Sequence, residues 1–557
     1  MLRRTVLPAL VVLVAACGAD DGNEGNGGEA GAPASPPRDG PPAGPSADDG
    51  RGTAAGGAEA EVCWTARRAQ GDGVAFAEVT ERAGLVEPLV GMYGHAAAAA
   101  DVDGDNWTDL FVAGFADREP NEYRHRGATG PSPDRLLLGG PGGFTVSEDF
   151  PGELARTSGA TFADLDGDGD LDLVAVRNPR EGDEIAHRPT TVYENRDGTW
   201  SAAATLLPDT AARSVATLDI DRDGLLDLAI AGDRFGGSPT RLLRNTGDLT
   251  FEDATDAWGV PDDLYGLALA TVDLDGDGWL DMVVSGEERV LRGGPDGFEV
   301  VTQPVLRWEV VGEEDDPAGI AIGDLDGDGR PDLVVGQHFN STVDDGARIP
   351  VRVFLNRSRS GTMKLVEVTE EAGSPALPTK SPHVAVADVD NDGLADVVTS
   401  AASDDGVPLV LRNRGVTNGV PRFDVAGGPG DGEYWVTGVT EDIDRDGRVD
   451  LLLVAWEPSA VSPLLRGVGA SGGWVEIDLA ALGPDITGAR IEARAGGQVV
   501  ATGWAASTTG YAAGASPVVH LGLGQVDGDV ELTVAPVGGE KRSIVVPADS
   551  RAAVGGC

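Results

Sequence analysis

A nine-residue pattern of carboxylates recurs seven times along this chain of 557 residues and constrains its fold more than any other feature. The copies start 51 to 64 residues apart, at Asp101, Asp164, Asp219, Asp273, Asp324, Asp388 and Asp442. Each copy has Asp at positions one, three, five and nine, and glycine stands at position six in all but the first, which has Asn106. A repeat of this length indicates an array of similar supersecondary units.

Short apolar runs flank the copies, such as Val215–Leu218 before the third and Leu226–Ala231 after it. Their length, β-branched content and bounding turn residues are typical of buried strands. Two shorter predicted strands then follow, as at Arg241–Arg244 and Thr250–Glu252. Seven four-stranded units predict an all-β fold, a seven-bladed β-propeller, because a ring buries both faces of each blade and leaves few open edges.

The two ends of the repeat array predict how the ring closes. One predicted strand, Val74–Val79, precedes the first repeat, whereas the seventh repeat is short after Leu464–Leu465. We therefore expect Val74–Val79 to be the outermost strand of the last blade. A β-solenoid is the alternative, but it needs polar capping repeats that we do not find in the sequence.

The aspartates have the spacing of a cation-binding loop. Side-chain oxygens at positions one, three, five and nine and a backbone carbonyl at position seven surround one ion, and position six takes the sharp turn. Ca²⁺ prefers such oxygen ligands, whereas Mg²⁺ keeps its waters and demands octahedral geometry. The alternative, a metal-free Asp-Gly turn, requires only one or two such residues in each copy. We expect about seven Ca²⁺ sites.

The predicted ligands are Asp101, Asp103, Asp105, Trp107 and Asp109; Asp164, Asp166, Asp168, Asp170 and Asp172; Asp219, Asp221, Asp223, Leu225 and Asp227; Asp273, Asp275, Asp277, Trp279 and Asp281; Asp324, Asp326, Asp328, Arg330 and Asp332; Asp388, Asp390, Asp392, Leu394 and Asp396; and Asp442, Asp444, Asp446, Arg448 and Asp450.

Charge and motifs narrow the function. Lys and Arg number 42 against 92 Asp and Glu, a net charge of −50, and no basic stripe for nucleic acid forms on such a surface. We find no HExxH, GxSxG or P-loop motif. We therefore expect a binding or adhesion protein rather than an enzyme. A lyase or hydrolase acting on polysaccharides is the alternative, by analogy with other propellers, and an assembly scaffold is a third possibility.

The N-terminal residues 1–17 resemble a bacterial lipoprotein signal. An apolar run from Val6 to Ala16 is too short to span a bilayer, and residues 14–17 resemble a lipobox in which Cys17 takes the lipid. An ordinary secretory signal is the alternative. By the bacterial sorting rule, a residue other than Asp after the lipidated cysteine, here Gly18, indicates the outer membrane. We therefore expect a cell-envelope lipoprotein of the outer membrane, and the rule leaves open whether it is exposed at the cell surface. Residues 18–61, rich in Gly, Pro, Ala and Asp, predict a disordered tether.

The Asp pattern, over residues 74 to about 467, resembles the FG-GAP/VCBS repeat of integrin-type propellers. The segment 474–547 is similar to the ASPIC/UnbV domain through GARIEARAGG at 488–497, Gly510-Tyr511 and HLGLG at 520–524. The order of domains resembles a bacterial member of the cartilage acidic protein family. The resemblance implies a propeller at 62–467 and a small β domain at 474–547, and leaves the biochemical role open.

Two cysteines remain once Cys17 carries a lipid. Cys63 and Cys557 lie near the two ends of the folded part, in an oxidising compartment, and we expect a disulfide between them. Free or intermolecular thiols are the alternative, since pairing cannot be deduced from sequence.

Loop insertions predict where a partner binds. The Asp loops join first and second strands on one face of a propeller, whereas the long insertions Phe115–Asp134, Arg177–Pro189 and Gln337–Pro350 all follow second strands, on the other face. Aromatic rings beside polar groups there suit a sugar or a peptide. The predicted ligand-face residues are Tyr93, His95, His125, His187, Tyr265, His338, His383, Tyr434 and Trp435. The alternative is that long loops collect polar residues by chance and the aromatics plug the channel.

Overall fold

The computed structural model describes residues 60–66, 68, 73–182, 184–286, 289–302, 306, 316–338, 348–425, 429–469 and 471–555. The predicted signal, Cys17, almost all of the predicted tether and Cys557 lie outside these residues. The described part is almost entirely β: its helices are Thr369–Ala372 and the 3-10 segment Ala480–Ile486. Among the described residues, no helix has the length and apolar character needed to cross a membrane.

Seven four-stranded antiparallel sheets form the blades of a propeller, and each Asp loop joins the first two strands of its blade. From first to fourth strand they are, in blade 1, Gly94–Ala100, Asp109–Gly114, Arg135–Leu138 and Thr145–Val146; in blade 2, Thr157–Ala163, Asp172–Arg177, Thr190–Arg196 and Thr199–Leu206; in blade 3, Ala212–Leu218, Asp227–Gly232, Arg241–Asn245 and Phe251–Asp253; in blade 4, Leu269–Val272, Asp281–Val284, Arg289–Arg292 and Glu299–Val300; in blade 5, Asp316–Gly323, Asp332–His338, Arg352–Asn356 and Leu365–Glu367; in blade 6, Val384–Ala387, Asp396–Ser403, Pro408–Thr417 and Val420–Val425; and in blade 7, Thr437–Glu441, Asp450–Val454, Leu464–Gly467 and Phe76–Glu78.

Three short strands complete the propeller. Pro429–Tyr434 pairs with the second strand of blade 6, and Ile349–Pro350 pairs with Ala376–Leu377.

The predicted closing strand is confirmed. Phe76–Glu78 pairs antiparallel with Leu464–Gly467 as the fourth strand of blade 7. Blades 7 and 1 share a hydrophobic cluster that includes Leu110 and Leu452. Each of the six other pairs of neighbouring blades shares a cluster of its own. The ring is therefore continuous through the junction of its first and last blades.

Burial on both faces explains why the first strands do not alternate between apolar and polar residues. In blade 1, Ala97 and Ala99 pack towards blade 7, while Ala96, Ala98 and Ala100 pack towards blade 2. Successive side chains of a strand point to opposite faces, so a strand between two neighbours needs apolar residues at every position.

The C-terminal domain consists of two four-stranded sheets around a core of its own. In spatial order, the first sheet is Ala60–Thr65, Ser550–Val554, Gly473–Asp478 and Val518–Gly524, and the second is Gln498–Trp504, Arg490–Ala495, Asp529–Ala535 and Arg542–Pro547.

Two predicted domain boundaries were wrong. The tether was predicted to end at residue 61 and the propeller to begin at residue 62. Residues 60–65 instead form an edge strand of the C-terminal domain, with Ala60 opposite Val554. The same domain extends to Val554 rather than ending at residue 547. The two pairing strands lie at opposite ends of the chain, and no local pattern of residues reports a partner so far away.

A hairpin of the C-terminal domain fills the central channel of the propeller. This plug hairpin, residues 505–515, carries the strands Thr508–Thr509 and Ala513–Gly514, and Ala513 pairs in parallel with Ala97 of blade 1. Its residues also bond to the first strands, or the residue just before them, of the six other blades, through Thr161, Thr217, Leu269, Ile320, His383 and Thr437.

Candidate metal centres and the distal face

The backbone of the seven Asp loops turns sharply at two positions. At position six, Asn106 and the six glycines have φ between 68° and 101°, which confirms the turn expected there. Position four is left-handed as well, with φ between 56° and 78°, although it carries Arg222 in blade 3, Asn391 in blade 6 and Arg445 in blade 7. Two left-handed residues wrap the loop tightly enough for the aspartates to converge.

Aspartates at position nine fasten each loop to the third strand of its blade or to the residue just after that strand. The Oδ2 of Asp109 accepts the N–H of Val102 at 2.8 Å, and its Oδ1 accepts the N–H of Gly139 at 2.7 Å. The corresponding pair of hydrogen bonds occurs in the six other blades. Each carboxylate oxygen has a second lone pair, so a position-nine aspartate can still bind an ion.

Several aspartates of each loop converge on its centre. In blade 1, Asp101 accepts the N–H groups of Gly104 and Asn106, and Asp105 accepts that of Trp107. Three carboxylates bring ligand atoms within 4.8 Å of one another in each of five loops: Asp101, Asp103 and Asp109; Asp164, Asp166 and Asp168; Asp219, Asp221 and Asp227; Asp273, Asp275 and Asp281; and Asp324, Asp326 and Asp332.

In blades 4 to 6, a carboxylate oxygen at position three is buried without a hydrogen-bond donor. The Oδ1 atoms of Asp275, Asp326 and Asp390 have no hydrogen-bond partner within the described residues, and these side chains are at most 4% exposed. A buried charged oxygen without a partner is costly, and a cation removes that cost. These oxygen-only loops therefore fit a hard divalent cation. The carbonyls at position seven stay predicted ligands.

Burial raises the pKa of the position-nine carboxyls. Desolvation brings the pKa of Asp109 and Asp281 to about 8 and that of Asp172 and Asp227 to about 7, although backbone N–H groups act in the opposite direction. Without a cation, these carboxyls therefore take up a proton near neutral pH, and a bound cation favours the ionised form.

Sequence reasoning missed five arginines that pair with the loops of blades 3 to 7. Each comes from the third strand or the residue just after it and pairs with the aspartates at positions three and five: Arg244, Arg292, Arg357, Arg412 and Arg466. A signal was present, because each is adjacent in sequence to the residue whose N–H binds the position-nine aspartate.

The C-terminal domain covers part of the face that carries the Asp loops, here called the Asp-loop face. Arg490 donates to the carbonyl of Gly329 in the blade 5 loop at 3.1 Å, and His520 lies 2.8 Å from the Oδ1 of Asn391 in the blade 6 loop. A cavity of about 290 Å³ separates the domain from the loops of blades 3 and 4, between Trp279 and Gly538. The plug hairpin therefore enters the channel from this side.

Four of the nine predicted ligand-face residues are not available to a ligand. Tyr93, His95 and His383 are buried, and Trp435 packs into the core between blades 6 and 7. The plug hairpin accounts for both histidines: His95 Nε2 lies 3.4 Å from the hydroxyl of Tyr511, and His383 Nδ1 accepts the N–H of Tyr511 at 3.3 Å. The channel is filled, but mainly by a segment from another domain.

The other five lie on or near the distal face, opposite the Asp-loop face. His125 and His187 are exposed, while Tyr265, His338 and Tyr434 are half-buried.

One exposed aromatic ring of the distal face was not predicted. Phe235, in the second-to-third loop of blade 3, is 58% exposed. The guanidinium carbons of Arg234 and Arg213 lie 5.6 and 6.0 Å from the centre of its ring, and the ring of His338 lies 6.4 Å away. A lone aromatic residue in the glycine-rich stretch 233–237 was the available sequence signal.

Comparison with known proteins supports the repeat assignment. Models of the FG-GAP-like repeat match residues 101–175 and 219–284, and the FG-GAP repeat matches 317–348. Cartilage acidic protein 1 of Mus musculus is 25% identical over 419 aligned residues, which cover 67% of this chain and 60% of that protein. Integrin alpha-7 of Rattus norvegicus is 30% identical over 161 residues, 26% of this chain and 14% of that protein. This chain therefore spans less than two thirds of either relative.

Solved structures resemble the chain more distantly. BBS1N in complex with ARL6DN is 12% identical, covers 69% of this chain and 96% of its own, and has a TM-score of 0.41. The biofilm matrix protein Bap1 of V. cholerae is 13% identical, and the match covers 88% of this chain and 76% of Bap1, with a TM-score of 0.31. Both scores lie below 0.5, so no conclusion is based on them. The chain carries FG-GAP repeats on a seven-bladed β-propeller and is similar to cartilage acidic protein 1 and to integrin alpha-7.

Proposed function

We propose that this chain is a calcium-stabilised binding protein of the cell envelope, anchored through Cys17, that captures a protein or glycan partner on the distal face of its propeller. The observation that carries the proposal is the exposed ring of Phe235 between two arginines and a histidine. An aromatic ring beside polar donors, on loops held by a rigid scaffold, is a common arrangement for binding a sugar or a peptide.

The two faces of the propeller differ in what they leave free. The C-terminal domain covers part of the Asp-loop face, and the plug hairpin fills the channel. The second-to-third loops of the distal face have no such cover among the described residues. A partner therefore has its best access to the scaffold on the distal side.

Charge at Phe235 favours a polar ligand of low charge. Arg213 pairs with Asp233 at 3.0 Å, and Arg234 pairs with Asp316 at 2.8 Å. Both cations are thus already balanced by a carboxylate, and a polyanion would gain little from them. The guanidinium of Arg234, whose side chain is 33% exposed, still presents N–H donors to hydroxyl or carbonyl oxygens, whereas Arg213 is nearly buried.

The partner site is tested by capture from envelope fractions with the full chain as bait. We expect Phe235→Ala to reduce capture by about tenfold, because a stacking ring contributes on the order of 1 kcal/mol or more. Val545→Ala is the matched control, since Val545 is an exposed apolar residue on the C-terminal domain. Protease or periodate treatment of the fractions separates a protein from a glycan partner. Equal capture by wild type and Phe235→Ala would contradict the proposed site.

Calcium binding is tested by thermal unfolding. A ligand at 100 times its dissociation constant stabilises a folded site by about 2.7 kcal/mol, so the melting temperature should rise steeply with free Ca²⁺. Mg²⁺ at the same concentration should stabilise the protein far less. A chelated sample that melts together with the calcium-loaded one would exclude structural calcium sites.

A further inference from the structure

We infer that calcium controls the order of blades 1 and 2 more strongly than that of blades 3 to 7, because five arginines already neutralise part of the loop charge in those five blades. The inference rests on the proposed calcium binding, and it adds which of the seven loops depend on calcium most. Its evidence is the different ion pairing of the seven loops.

In blades 3 to 5, each arginine bridges the aspartates at positions three and five. Arg244 Nε lies 2.5 Å from Asp221 Oδ2, and its Nη2 lies 2.6 Å from Asp223 Oδ2. The corresponding pairs are 2.9 and 2.7 Å for Arg292 in blade 4, and 2.5 and 2.8 Å for Arg357 in blade 5.

Blades 6 and 7 repeat the arrangement. Arg412 pairs with Asp390 and lies 3.5 Å from Asp392. Arg466 pairs with Asp444 and lies 2.7 Å from Asp446. In all five blades the arginine contacts Oδ2 atoms.

The arginine and an ion can occupy one loop together. In blades 4 to 6 the Oδ1 atoms of Asp275, Asp326 and Asp390 stay buried and without a hydrogen-bond donor, while Oδ2 forms the ion pair with the arginine. The guanidinium therefore binds one side of each carboxylate and leaves the other side for a cation.

Blade 2 has an arginine that is held elsewhere. Arg196 follows Asn195 as Arg357 follows Asn356 in blade 5, but it pairs with Glu194. Its nearest loop contact is Asp166 at 4.0 Å, and its side chain is 67% exposed. Such an exposed and distant pair contributes little.

Blade 1 has no cation at the corresponding position. The residue before Gly139, whose N–H binds Asp109, is Leu138, where blades 4 and 7 have Arg292 and Arg466 before Gly293 and Gly467. Within the described residues, no arginine forms an ion pair with the four carboxylates of the blade 1 loop, where Arg445 of blade 7 donates only to the backbone carbonyl of Asp105, and the carboxylates of blade 2 have only the 4.0 Å contact.

Both consequences of the arginine act in the same direction. It lowers the repulsion among carboxylates when no ion is present, so the metal-free loop is more stable. It also repels an incoming divalent ion, so less is gained on binding. Four carboxylates outweigh the two charges of the ion, however, so the arginine stabilises the loaded loop as well, and less calcium is needed to keep the blade ordered. Loops without an arginine thus depend most on calcium. On partial depletion, blades 1 and 2 lose order first, together with their long distal loops at 115–134 and 177–189.

Hydrogen exchange of the full chain at graded free Ca²⁺ tests the inference. We expect protection in residues 94–146 and 157–206 to be lost at a calcium concentration on the order of tenfold higher than in blades 3 to 7. Loss of protection in all blades at one concentration would overturn the inference and leave calcium binding intact. No response to calcium in any blade would overturn the proposed calcium sites and the inference with them.

Two variants test the arginine itself. Leu138→Arg should lower the free Ca²⁺ concentration at which blade 1 loses half of its protection, here called its midpoint. Leu138→Met is the matched control without charge. Arg292→Met should raise the calcium midpoint of blade 4. This variant tests the same role of the arginine if Leu138→Arg does not fold. Unchanged midpoints in Arg292→Met and in a folded Leu138→Arg would overturn the role assigned to the arginines.

Discussion

At the scale of single residues, position four of the Asp loop links neighbouring blades. Its backbone is left-handed in every copy, a conformation that costs an L-residue about 1–2 kcal/mol. Two copies nevertheless carry arginine, and each reaches the next blade. The Arg222 guanidinium lies 3.6 Å from the ring of Trp279, and that of Arg445 lies 4.1 Å from the ring of Trp107. Contact with the following blade offsets the backbone strain.

Substitution of Arg445 separates these two effects. Arg445→Ala keeps the strain and removes both the stacking and the hydrogen bond to the carbonyl of Asp105, so we expect a loss of about 1–2 kcal/mol. Arg445→Gly removes the same contacts and relieves the strain, so its loss should be smaller by about 1 kcal/mol. Denaturant unfolding in saturating calcium measures both. Equal losses would show that the backbone is not strained at this position.

The partner ring supplies the control for this prediction. In a Trp107→Leu background, Arg445→Ala should cost less than in the wild type, because the stacking is already absent. An unchanged cost would mean that Arg445 does not act through Trp107.

At the scale of elements, the plug hairpin is the contact that makes two domains one unit. It bonds to all seven blades although it is only eleven residues long, 505–515. Tyr511 lies at its turn and is 3% exposed. The ring surrounds the hairpin, so the hairpin can leave only if the C-terminal domain moves away from the Asp-loop face.

Acid should loosen the hairpin through His383. Burial in a desolvated site beside Tyr511 lowers the pKa of His383 to about 4. Since the unfolded state then binds more protons between pH 6.5 and 4, stability falls as the pH falls through this window, by about 3 kcal/mol at most. His383→Asn should flatten the fall in melting temperature below pH 6.5.

Exposed His125 is the control for acid sensitivity. His125→Asn should leave the pH profile of the wild type unchanged. A profile that is equally steep in wild type and His383→Asn would place the acid sensitivity in another group.

At the scale of the whole molecule, the N-terminal segment connects the two domains a second time. Ala60–Thr65 is an edge strand of the C-terminal domain, and Phe76–Glu78 is the outermost strand of blade 7. Arg68, between them, donates to the carbonyl of Val526 at 2.6 Å and pairs with Asp527. Cys63, in the first of these strands, is disulfide-bonded. Its pairing with Cys557, which lies outside the described residues, stays a prediction.

Truncation tests this connection. A chain that begins at residue 60 keeps both strands and should melt with the full chain. A chain that begins at residue 70 loses the edge strand of the C-terminal domain, and one that begins at 79 also opens blade 7, so the melting temperature should fall in two steps. If the chain that begins at 79 melts with the full chain, neither strand contributes to stability.

Local pattern was enough to predict the repeat units. Four aspartates in fixed register predict a turn wherever they occur, and the apolar runs beside them predict strands buried on both faces. Closure by Phe76–Glu78 could be predicted by counting strands. The seventh repeat lacks a fourth strand, and one predicted strand before the first repeat has no blade of its own. The arginines of blades 3 to 7 were missed, since an arginine in a strand looks the same in sequence whether it meets a loop or solvent.

The sequence by itself determined the number of blades, the site of every Asp loop and the closure of the ring, because each depends on residues within one repeat or on the count of repeats. Only the tertiary structure decided what fills the channel, which face is covered and which domain takes residues 60–65. Those outcomes depend on contacts between segments hundreds of residues apart. Such contacts are chosen by the shape and polarity of two assembled surfaces, and neither surface exists until its own strands have paired.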